Sequence, residues 1–305
     1  MNPTLLILAA GMGSRYGSMK QTEQFGPSGE TITDYSIYDA MKSGFGKVVF
    51  VISPAMEEEF KSSYVMKFPS QFNVDYVIQS IDTIPSGYRI SNERKKPWGT
   101  AHAVLMAAPI INEPFAVINA DDFYGRNAYK LISEYLTSTT ESGIFEYCMA
   151  GYRIRRTLSE YGTVSRGVCA VDDNGYLTEI TERTKILDTP EGIAVLDNGV
   201  KFFLPENALV SMNLFGFTPS VFTTLEKYFN EFLKINGMDP KSEFFIPYVA
   251  DKMIKEGLAR LKVLETDEKW FGVTYKEDRP HVLKMISTLV ENGVYPKDIW
   301  GTYPE

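Results

Sequence analysis

The sequence predicts a three-layer α/β fold in which helices cover both faces of a mostly parallel sheet. In the first half of the 305 residues, short apolar runs alternate with longer segments whose apolar residues recur every three or four positions. These spacings are typical of buried strands and amphipathic helices, and their alternation indicates parallel strands joined by crossover helices. The second half contains more strand and hairpin patterns, which predict a small β-rich region beside the sheet.

The elements of the first half follow from these runs. The predicted strands are continuous apolar segments at 4–9, 47–52, 74–79 and 115–119. The predicted helices lie between or after them at 33–43, 54–67, 99–108 and 127–136. Pro54 suits the first turn of its helix, and Gly44 suits a helix end.

The second half is less regular. We predict strands at 146–153, 163–171, 176–181, 208–217 and 258–264, and helices at 221–233, 245–256 and 279–291. The turn residues 172–175 predict a hairpin between two of these strands. Because no repeat or linker interrupts the chain, we expect one domain, residues 1–305.

Composition excludes several classes of protein. Hydrophobic residues make up 44% of the chain and the net charge is −8, which does not suit a surface that coats nucleic acid. The first apolar run is too short to span a membrane, and no basic segment precedes it. The two cysteines, Cys148 and Cys169, lack metal-type spacing and are expected to be reduced core residues of a cytoplasmic protein.

The loop after the first strand is the most informative segment. Gly11 and Gly13 allow backbone N–H groups to approach a phosphate, and Arg15 and Lys20 add two positive charges suited to a triphosphate. The spacing is neither the dinucleotide pattern G-x-G-x-x-G nor a P-loop. The predicted phosphate-binding residues of this loop are Ala10, Gly11, Gly13 and Ser14. The alternative is a tight turn with solvated charges.

A second motif follows the strand at 115–119. Asp121 and Asp122 place two carboxylates at the carboxyl edge of a parallel sheet, where ligands of open α/β folds bind. Oxygen ligands of this kind suit Mg²⁺, which protein carboxylates commonly hold together with substrate phosphates. The alternative role for the pair is to cap the next helix.

The loop resembles the signature of the GT-A-type nucleotidyltransferases, Ala-Ala-Gly-x-Gly-Ser-Arg with a lysine five residues later. This family includes the sugar-1-phosphate nucleotidyltransferases, or NDP-sugar pyrophosphorylases. The resemblance implies a Rossmann-like GT-A fold, with residues 1–140 as the nucleotide-binding half and 141–305 as the sugar-phosphate half. It also implies that Arg15 and Lys20 neutralise the triphosphate as pyrophosphate leaves.

The resemblance assigns further residues to the nucleotide. Residues 98–103 resemble the family's Gly-Thr-Ala/Gly turn, so Gly99 and Thr100 are expected to pack on the nucleobase. Gln79 stands where the family often has a base-reading glutamine, although a polar strand end is an equal alternative. Asp121 occupies the position of the family's metal-binding aspartate, with Asp122 beside it.

The resemblance also extends to the acceptor side. Gly162 lies in a segment similar to the family's Tyr-Gly-Val-Val element, which lines the sugar pocket. Glu182 and Arg183 resemble the Glu-Lys-Pro element, in which the glutamate reaches a sugar hydroxyl and the cation holds the sugar phosphate; Lys185 competes with Arg183 for that role. Asn213 matches a polar residue that contacts the sugar.

One departure from the family pattern concerns the metal. Many relatives have Trp-x-Asp-x-Gly-Thr, whose aspartate completes the Mg²⁺ site, but this chain has Gly272 at that position. Asp121 with phosphates and water could hold the ion, or Asp278 could substitute for the missing aspartate. A third possibility is a relative without catalytic activity.

The predicted function is therefore nucleotidyl transfer from an NTP to a sugar 1-phosphate, with Mg²⁺ as cofactor. An anionic acceptor needs no protein base, which agrees with a site of cations and carboxylates without a catalytic histidine or triad. The alternatives are a cytidylyltransferase of choline or alditol phosphate and a regulatory subunit that only binds nucleotide-sugar. We expect neither nucleic-acid nor membrane partners, and a homo-oligomer is possible.

Overall fold

The computed structural model describes residues 1–11, 23–64, 68, 69, 72–141, 143–159, 162–197, 200–272 and 278–301. In these residues the strands are β1 (Thr4–Leu8), β2 (Lys47–Ile52), β3 (Asn73–Ile78), β4 (Phe115–Asn119), β5 (Asp122–Phe123), β6 (Phe145–Arg153), β7 (Val164–Val171), β8 (Leu177–Thr189), β9 (Gly192–Asp197), β10 (Val200–Leu204), β11 (Leu209–Phe217), β12 (Ala259–Thr266) and β13 (Phe271–Gly272). The α-helices are α1 (Ile32–Lys42), α2 (Glu57–Glu59), α3 (Thr100–Met106), α4 (Arg126–Ser138), α5 (Val221–Asn236), α6 (Ile246–Lys255) and α7 (Arg279–Glu291).

Eleven of the described strands form a single mixed sheet that contains strands from both halves of the chain. Its main path runs β10-β9-β8-β7-β11-β4-β1-β2-β3, and β6 joins β11 to β12. Strands β4, β1, β2 and β3 are parallel, as predicted for the first half. Most strand pairs of the second half are antiparallel. Because β11 pairs with β4, the strands predicted as a region beside the sheet instead extend the same sheet.

The core lies on both faces of this sheet because successive strand residues point to opposite sides. In β1, for example, Leu5 and Ile7 pack with α1 and α4, whereas Leu6 packs with α3, α5 and α6 on the other face. Both faces are buried, which explains why the strand sequence is continuously apolar. The predicted three-layer α/β fold is confirmed.

Helix α1 begins with a capping box that fixes its position against the sheet. The Thr31 hydroxyl accepts from the Asp34 backbone N–H, and the Asp34 carboxylate accepts from the Thr31 backbone N–H at 2.7 Å. Such a reciprocal cap satisfies N–H groups that a helix start leaves unpaired. Inside the helix, the Thr33 hydroxyl donates to the Ala120 carbonyl at 2.7 Å and so fixes the segment that follows β4.

A third apolar cluster joins the C-terminal part of the chain to α1. Val282 and Ile286 of α7, with Tyr295 and Ile299, pack on aromatic residues of α1 and of the small β5–β13 sheet. Phe123 and Phe271 of that sheet stack at 4.3 Å between ring centroids. The C-terminal segment therefore supports the strands that follow β4.

Most predicted elements are present, with ends that differ by a few residues. The structure adds β9 and β10, the short strands β5 and β13, and a longer β8. The predicted helix at 54–67 is a mixed helical run of a 3₁₀ turn, one α-helical turn and a π-helical turn ending at Tyr64 within the described residues. None of the described helices has the length and apolar character to cross a membrane.

Candidate active site

The order of the parallel strands creates a crevice at the carboxyl edge of the sheet. The chain runs from β1 through β2 to β3 on one side and then returns to β4 on the other side of β1, so the strand order reverses between β1 and β4. Ligands of open α/β sheets bind outside the carboxyl ends of strands at such a switch point. The Ala120 backbone N–H donates to the Leu8 carbonyl at 3.2 Å, so the segments after β1 and β4 leave the sheet side by side.

Two residues of the predicted phosphate loop lie at this edge. Ala10 is half-buried and Gly11 is exposed, and no described residue lies within 4 Å of the position of a Gly11 Cβ atom. The described residues therefore leave the Gly11 backbone accessible to a ligand. The other predicted loop residues lie outside the described residues: Gly13, Ser14, Arg15 and Lys20.

Gln79 is held in one orientation by its neighbours. Its Nε2 donates to the Gly99 carbonyl at 3.0 Å and lies 3.1 Å from Nδ1 of His102. Because Nε2 of His102 lies 3.0 Å from the Thr83 carbonyl, which can only accept, the ring carries its proton there and Nδ1 accepts from Gln79. Among the described residues no donor contacts the amide oxygen of Gln79, so this oxygen is left for a ligand.

Burial keeps His102 neutral and so maintains this orientation. The ring is fully buried, and the loss of solvation lowers the pKa of His102 to about 4, although the Thr83 carbonyl acts in the opposite direction. A protonated ring would have donors on both nitrogens and could not accept from Gln79. The charge state of His102 and the orientation of Gln79 are therefore linked.

Gly99 and Thr100 connect α3 to the chain before α6. Gly99 has φ +103°, and a Cβ atom there would lie 2.6 Å from the Phe244 carbonyl oxygen, so glycine is required. The Thr100 hydroxyl accepts from the Ile246 backbone N–H at 3.1 Å. This close approach brings the start of α6 to the carboxyl edge, where Pro247 lines the cavity described next.

A polar cavity of about 280 Å³ brings together residues from both halves of the chain. Asp121 and Asp122 enter it from the end of β4, and Glu182 and Asn213 enter it from β8 and β11. These four predicted residues therefore meet in one place. The cavity is also lined by Asn119, Ser165, Arg166, Gly167, Ser211, Met212, Pro247 and Trp270.

Asp122 is buried and partly anchored. Its Oδ2 accepts from Asn119 Nδ2 at 2.9 Å and from the Tyr124 hydroxyl at 3.2 Å. Burial, and then the charge of Asp121, raise the pKa of Asp122 well above its ordinary value, while these hydrogen bonds and Arg166 act in the opposite direction. A cation bound at the two carboxylates would favour the charged form of Asp122.

Glu182 lies on β8 opposite Gly167 of β7, and Asn213 lies at an irregularity in β11. A Cβ atom on Gly167 would lie 2.9 Å from Cγ2 of Ile180, so this side chain of β8 packs closely against the glycine. Asn213 has φ +63° where the register of β11 shifts between Ser211 and Phe215. Such a bulge redirects a strand residue, and here Asn213 lines the cavity.

The other residues predicted for the acceptor lie outside this cavity lining. The Arg183 guanidinium lies 5.3 Å from the centroid of the Phe202 ring, and Lys185 is exposed with φ +54° at a register shift in β8. Gly162 is exposed, with open space around the position of a Cβ atom. These three assignments stay predictions.

Gly272 pairs with Asp122 in the β5–β13 sheet. A Cβ atom at position 272 would lie 2.6 Å from Oδ1 of Asp122 and 3.2 Å from the Asp121 carbonyl oxygen. Any side chain at this position therefore requires Asp122 to move. Asp278, the other candidate for the missing aspartate, precedes α7 and is not among the described residues lining the cavity.

A missed residue of the cavity is Arg166. It is nine-tenths buried, and burial lowers its pKa to about 10. The sequence signal is a lone cation between Val164 and Val168 of a predicted strand, but its partners Thr157 and Trp270 come from distant segments.

A larger cavity of about 720 Å³ lies around Tyr176 and contains none of the predicted site residues. Arg260 there pairs with Glu146, and the Lys262 ammonium donates to the Asn174 carbonyl. Its cations are thus engaged within the protein, and the smaller cavity is the better candidate site. In the described part of the chain, no group of three or more His, Cys, Asp or Glu residues is arranged to hold a metal ion.

The carboxyl-edge cavity of this open α/β sheet is where such folds bind ligands, and comparison with known families identifies the class of protein. The family described as nucleotidyl transferase matches residues 4–277, so the chain belongs to that family. A comparison with curated protein sequences gave no significant match.

Solved structures show the same fold at low identity. The inositol-1-phosphate CTP transferase from T. maritima is 15% identical, with a TM-score of 0.59 over 95% of this chain and 97% of that one. A Bacillus anthracis protein assigned as a glucose-1-phosphate thymidylyltransferase is 14% identical, with a TM-score of 0.58 over 93% of this chain and 94% of that one. HddC from Yersinia pseudotuberculosis is 15% identical, with a TM-score of 0.54 over 93% of this chain and 99% of that one.

Proposed function

We propose that the protein transfers the nucleotidyl group of an NTP to the phosphate of a sugar 1-phosphate and releases pyrophosphate. The observation that carries this proposal is the cavity in which Asp121 and Asp122 of the nucleotide half meet Glu182 and Asn213 of the second half. A polar cavity with carboxylate and amide groups suits a ligand rich in hydroxyls. Its position beside the segment after β1 suits transfer from a nucleotide bound at the switch point.

The proposed reaction is an in-line attack of an acceptor phosphate oxygen on the α-phosphorus of the NTP. The new bond joins the acceptor oxygen to the α-phosphorus, and the bond to the oxygen bridging to the β-phosphorus breaks, so pyrophosphate leaves. The acceptor is already an anion, so the main tasks of the protein are positioning and charge neutralisation. We assign neutralisation of the triphosphate to Arg15 and Lys20, with nucleobase contacts from Gln79 and Gly99.

The donor set also fits Mg²⁺. Asp122 has one oxygen anchored by Asn119 and Tyr124, and it shares the cavity with Asp121. Two hard carboxylates suit an ion that takes its other ligands from phosphates and water. When bound, Mg²⁺ would neutralise charge on the reacting phosphates.

The acceptor could instead be the phosphate of another polyol. The T. maritima neighbour is an inositol-1-phosphate CTP transferase, and it matches this chain over nearly its whole length. A cyclic polyol presents hydroxyl groups much as a sugar does, so Glu182 and Asn213 could contact either. The sugar 1-phosphate is the proposed acceptor, and the polyol phosphate is the second candidate.

The proposal is tested by a pyrophosphate-release screen of four NTPs against sugar 1-phosphates, inositol 1-phosphate and choline phosphate. We expect turnover with at least one sugar 1-phosphate, and loss of that turnover when a chelator removes divalent ions. Turnover with inositol or choline phosphate alone would replace the acceptor class. Failure of every pair, combined with measurable nucleotide-sugar binding, would identify a regulatory protein instead.

A further inference from the structure

Arg166 is a buried cation for which the predicted site has no assigned use. Its side chain is 9% exposed and lines the cavity that contains Asp121, Asp122 and Glu182. Within the described residues it has no carboxylate within ion-pair distance, although Asp122 and Glu182 are close enough to affect its charge. A buried charge that has no direct ion pair is costly, so an anionic ligand in contact with it would stabilise it.

The guanidinium group is held so that part of it is left for a ligand. Nε donates to the Thr157 hydroxyl at 3.1 Å, Nη1 donates to the Ser165 carbonyl at 2.7 Å, and Nη2 donates to the Thr157 carbonyl. The guanidinium carbon lies 4.7 Å from the centroid of the Trp270 ring. Since arginine has five N–H groups, two of them are left without a partner among the described residues.

These contacts fix the orientation of the planar guanidinium group of Arg166 before any ligand binds. An arginine with its plane set by stacking and hydrogen bonds loses little side-chain freedom on binding, and it matches phosphate oxygens well. We infer that Arg166 binds the phosphate of the acceptor substrate, the role that the sequence resemblance gave to Arg183 with Lys185 as its competitor. This inference rests on the proposed nucleotidyl transfer and identifies the acceptor's anchoring cation.

The chemistry of the proposed reaction requires such a cation. Two anions, the acceptor phosphate and the NTP, must approach each other, and their repulsion rises as they do. Arg15 and Lys20 are assigned to the triphosphate, so the acceptor phosphate needs its own positive charge. Arg166 is the cation that lines the cavity in the part of the chain that the structure describes.

A structural role for Arg166 can be separated from this one, because the chain contains a matched arginine. Arg94 is also buried, at 6% exposed, and its guanidinium carbon lies 3.6 Å from the Trp98 ring centroid. It donates to the carbonyls of Asp239 and Ser242 at 2.6 and 2.9 Å. It does not line the cavity, so it serves as a control for the loss of a stacked, buried arginine away from the proposed phosphate.

The test measures binding of inorganic phosphate by calorimetry with saturating NTP present, so that the triphosphate site is already filled. We expect Arg166→Gln to weaken phosphate binding by about 10- to 100-fold, as expected for a lost hydrogen-bonded charge. Arg94→Gln should leave phosphate affinity unchanged even where it lowers the unfolding temperature. With an active acceptor, Arg166→Gln should raise KM for the acceptor and leave KM for the NTP near the wild-type value.

The lysine variants cover the case in which a glutamine variant does not fold. Arg166→Lys keeps the charge but loses the paired N–H donors of the guanidinium group, so its phosphate affinity should lie between those of the wild type and Arg166→Gln. The phosphate affinity of Arg94→Lys should match that of the wild type. Wild-type phosphate affinity in a folded Arg166→Gln or Arg166→Lys protein would overturn the assignment. Phosphate titration does not require turnover, so this outcome is distinct from failure of the pyrophosphate screen.

Discussion

At the scale of single residues, the site depends on buried polar groups whose hydrogen bonds determine what they can offer a ligand. Gln79 shows this most directly: Gly99 and His102 occupy its amide nitrogen, so its oxygen is the atom that the described residues leave for a ligand. This arrangement holds only while His102 is neutral. The orientation of Gln79, the residue we propose for contact with the nucleobase, is thus controlled by a buried histidine that itself does not line the described cavity.

The protonation of His102 should make stability depend on pH. Burial lowers its pKa from the ordinary 6.5 to about 4, so between these values the unfolded chain binds a proton that the folded protein does not. The contribution of the neutral His102 ring to the free energy of unfolding is complete above pH 6.5. It falls as pH decreases towards 4, by about 3 kcal/mol in total. His102→Gln lacks this titration.

Urea unfolding of the wild type and His102→Gln at pH 7 and pH 4.5 measures this difference. The variant should be less stable at pH 7, by about 1–3 kcal/mol for the lost buried hydrogen bonds. That difference should become smaller at pH 4.5, because only the wild type loses stability through this group. An equal difference at both pH values would show that His102 is not held neutral by the fold.

At the scale of elements, the sequence predicted the parts of the fold whose patterns are local. Runs such as 47–52 and 115–119 matched β2 and β4, because a strand buried on both faces is continuously apolar. Strands β9 and β10 were missed, although Asn198-Gly199 between two apolar runs is a hairpin signal. Strands β5 and β13 could not be predicted from local patterns, because each is two residues long and forms only by pairing with the other.

The candidate site also combines residues that local motifs predict with a residue whose role depends on contacts between distant segments. Asp121, Asp122, Glu182 and Asn213 were predicted from local motifs, and the structure brings them into one cavity. Arg166 was missed because its role depends on a stack with Trp270 and on hydrogen bonds to Thr157, neither of which has a local signature.

The β5–β13 pair gives a prediction about Gly272. A methyl group at position 272 would lie 2.6 Å from Oδ1 of Asp122, whose other oxygen is anchored by Asn119 and Tyr124. We therefore expect Gly272→Ala to lower the free energy of unfolding by about 1–3 kcal/mol, as is typical of overpacking. Chemical denaturation measures this change.

A double-mutant cycle tests whether the loss of stability in Gly272→Ala comes from the contact with the Asp122 carboxylate. In an Asp122→Ala background the obstructing carboxylate is absent, so Gly272→Ala should cost much less there. Gly162→Ala is the matched control for stability, because no described residue lies within 4 Å of the new methyl group. An equal cost of Gly272→Ala in both backgrounds would mean that Asp122 does not occupy the space beside the glycine.

At the scale of the whole molecule, the C-terminal segment is joined to the centre of the protein through a buried carboxylate. Asp39 of α1 accepts from the Tyr295 hydroxyl at 2.5 Å and from Arg126 Nε at 2.9 Å. Arg126 also donates to the Val294 carbonyl at 3.3 Å. Since Tyr295 packs beside Phe123, which follows Asp122 in the chain, this junction supports the strand that carries a cavity carboxylate.

Removal of the Tyr295 hydroxyl tests this junction, and its effect should depend on pH. Burial raises the pKa of Asp39 to about 7, while the hydrogen bond from Tyr295 and the charge of Arg126 act in the opposite direction. Because the folded pKa exceeds the ordinary 3.8, the folded protein binds the extra proton, and this contribution to stability falls as pH rises from 3.8 through 7. Tyr295→Phe removes a donor that favours the charged form of Asp39, so it should raise the pKa of Asp39 further. The loss of stability with rising pH should then continue to a higher pH than in the wild type.

We expect Tyr295→Phe to cost about 1.5–3 kcal/mol of unfolding free energy at pH 8, the usual value for a hydrogen bond to a charged group, and less at pH 6. The matched control is Tyr35→Phe in the same aromatic cluster, because the Tyr35 hydroxyl is buried and has no hydrogen-bond partner among the described residues. Loss of that hydroxyl should be neutral or stabilising. Denaturant unfolding of both variants at pH 6 and pH 8 measures these effects. Equal effects of the two variants would contradict the role assigned to the Asp39 carboxylate, and so would a Tyr295→Phe effect that is larger at pH 6 than at pH 8.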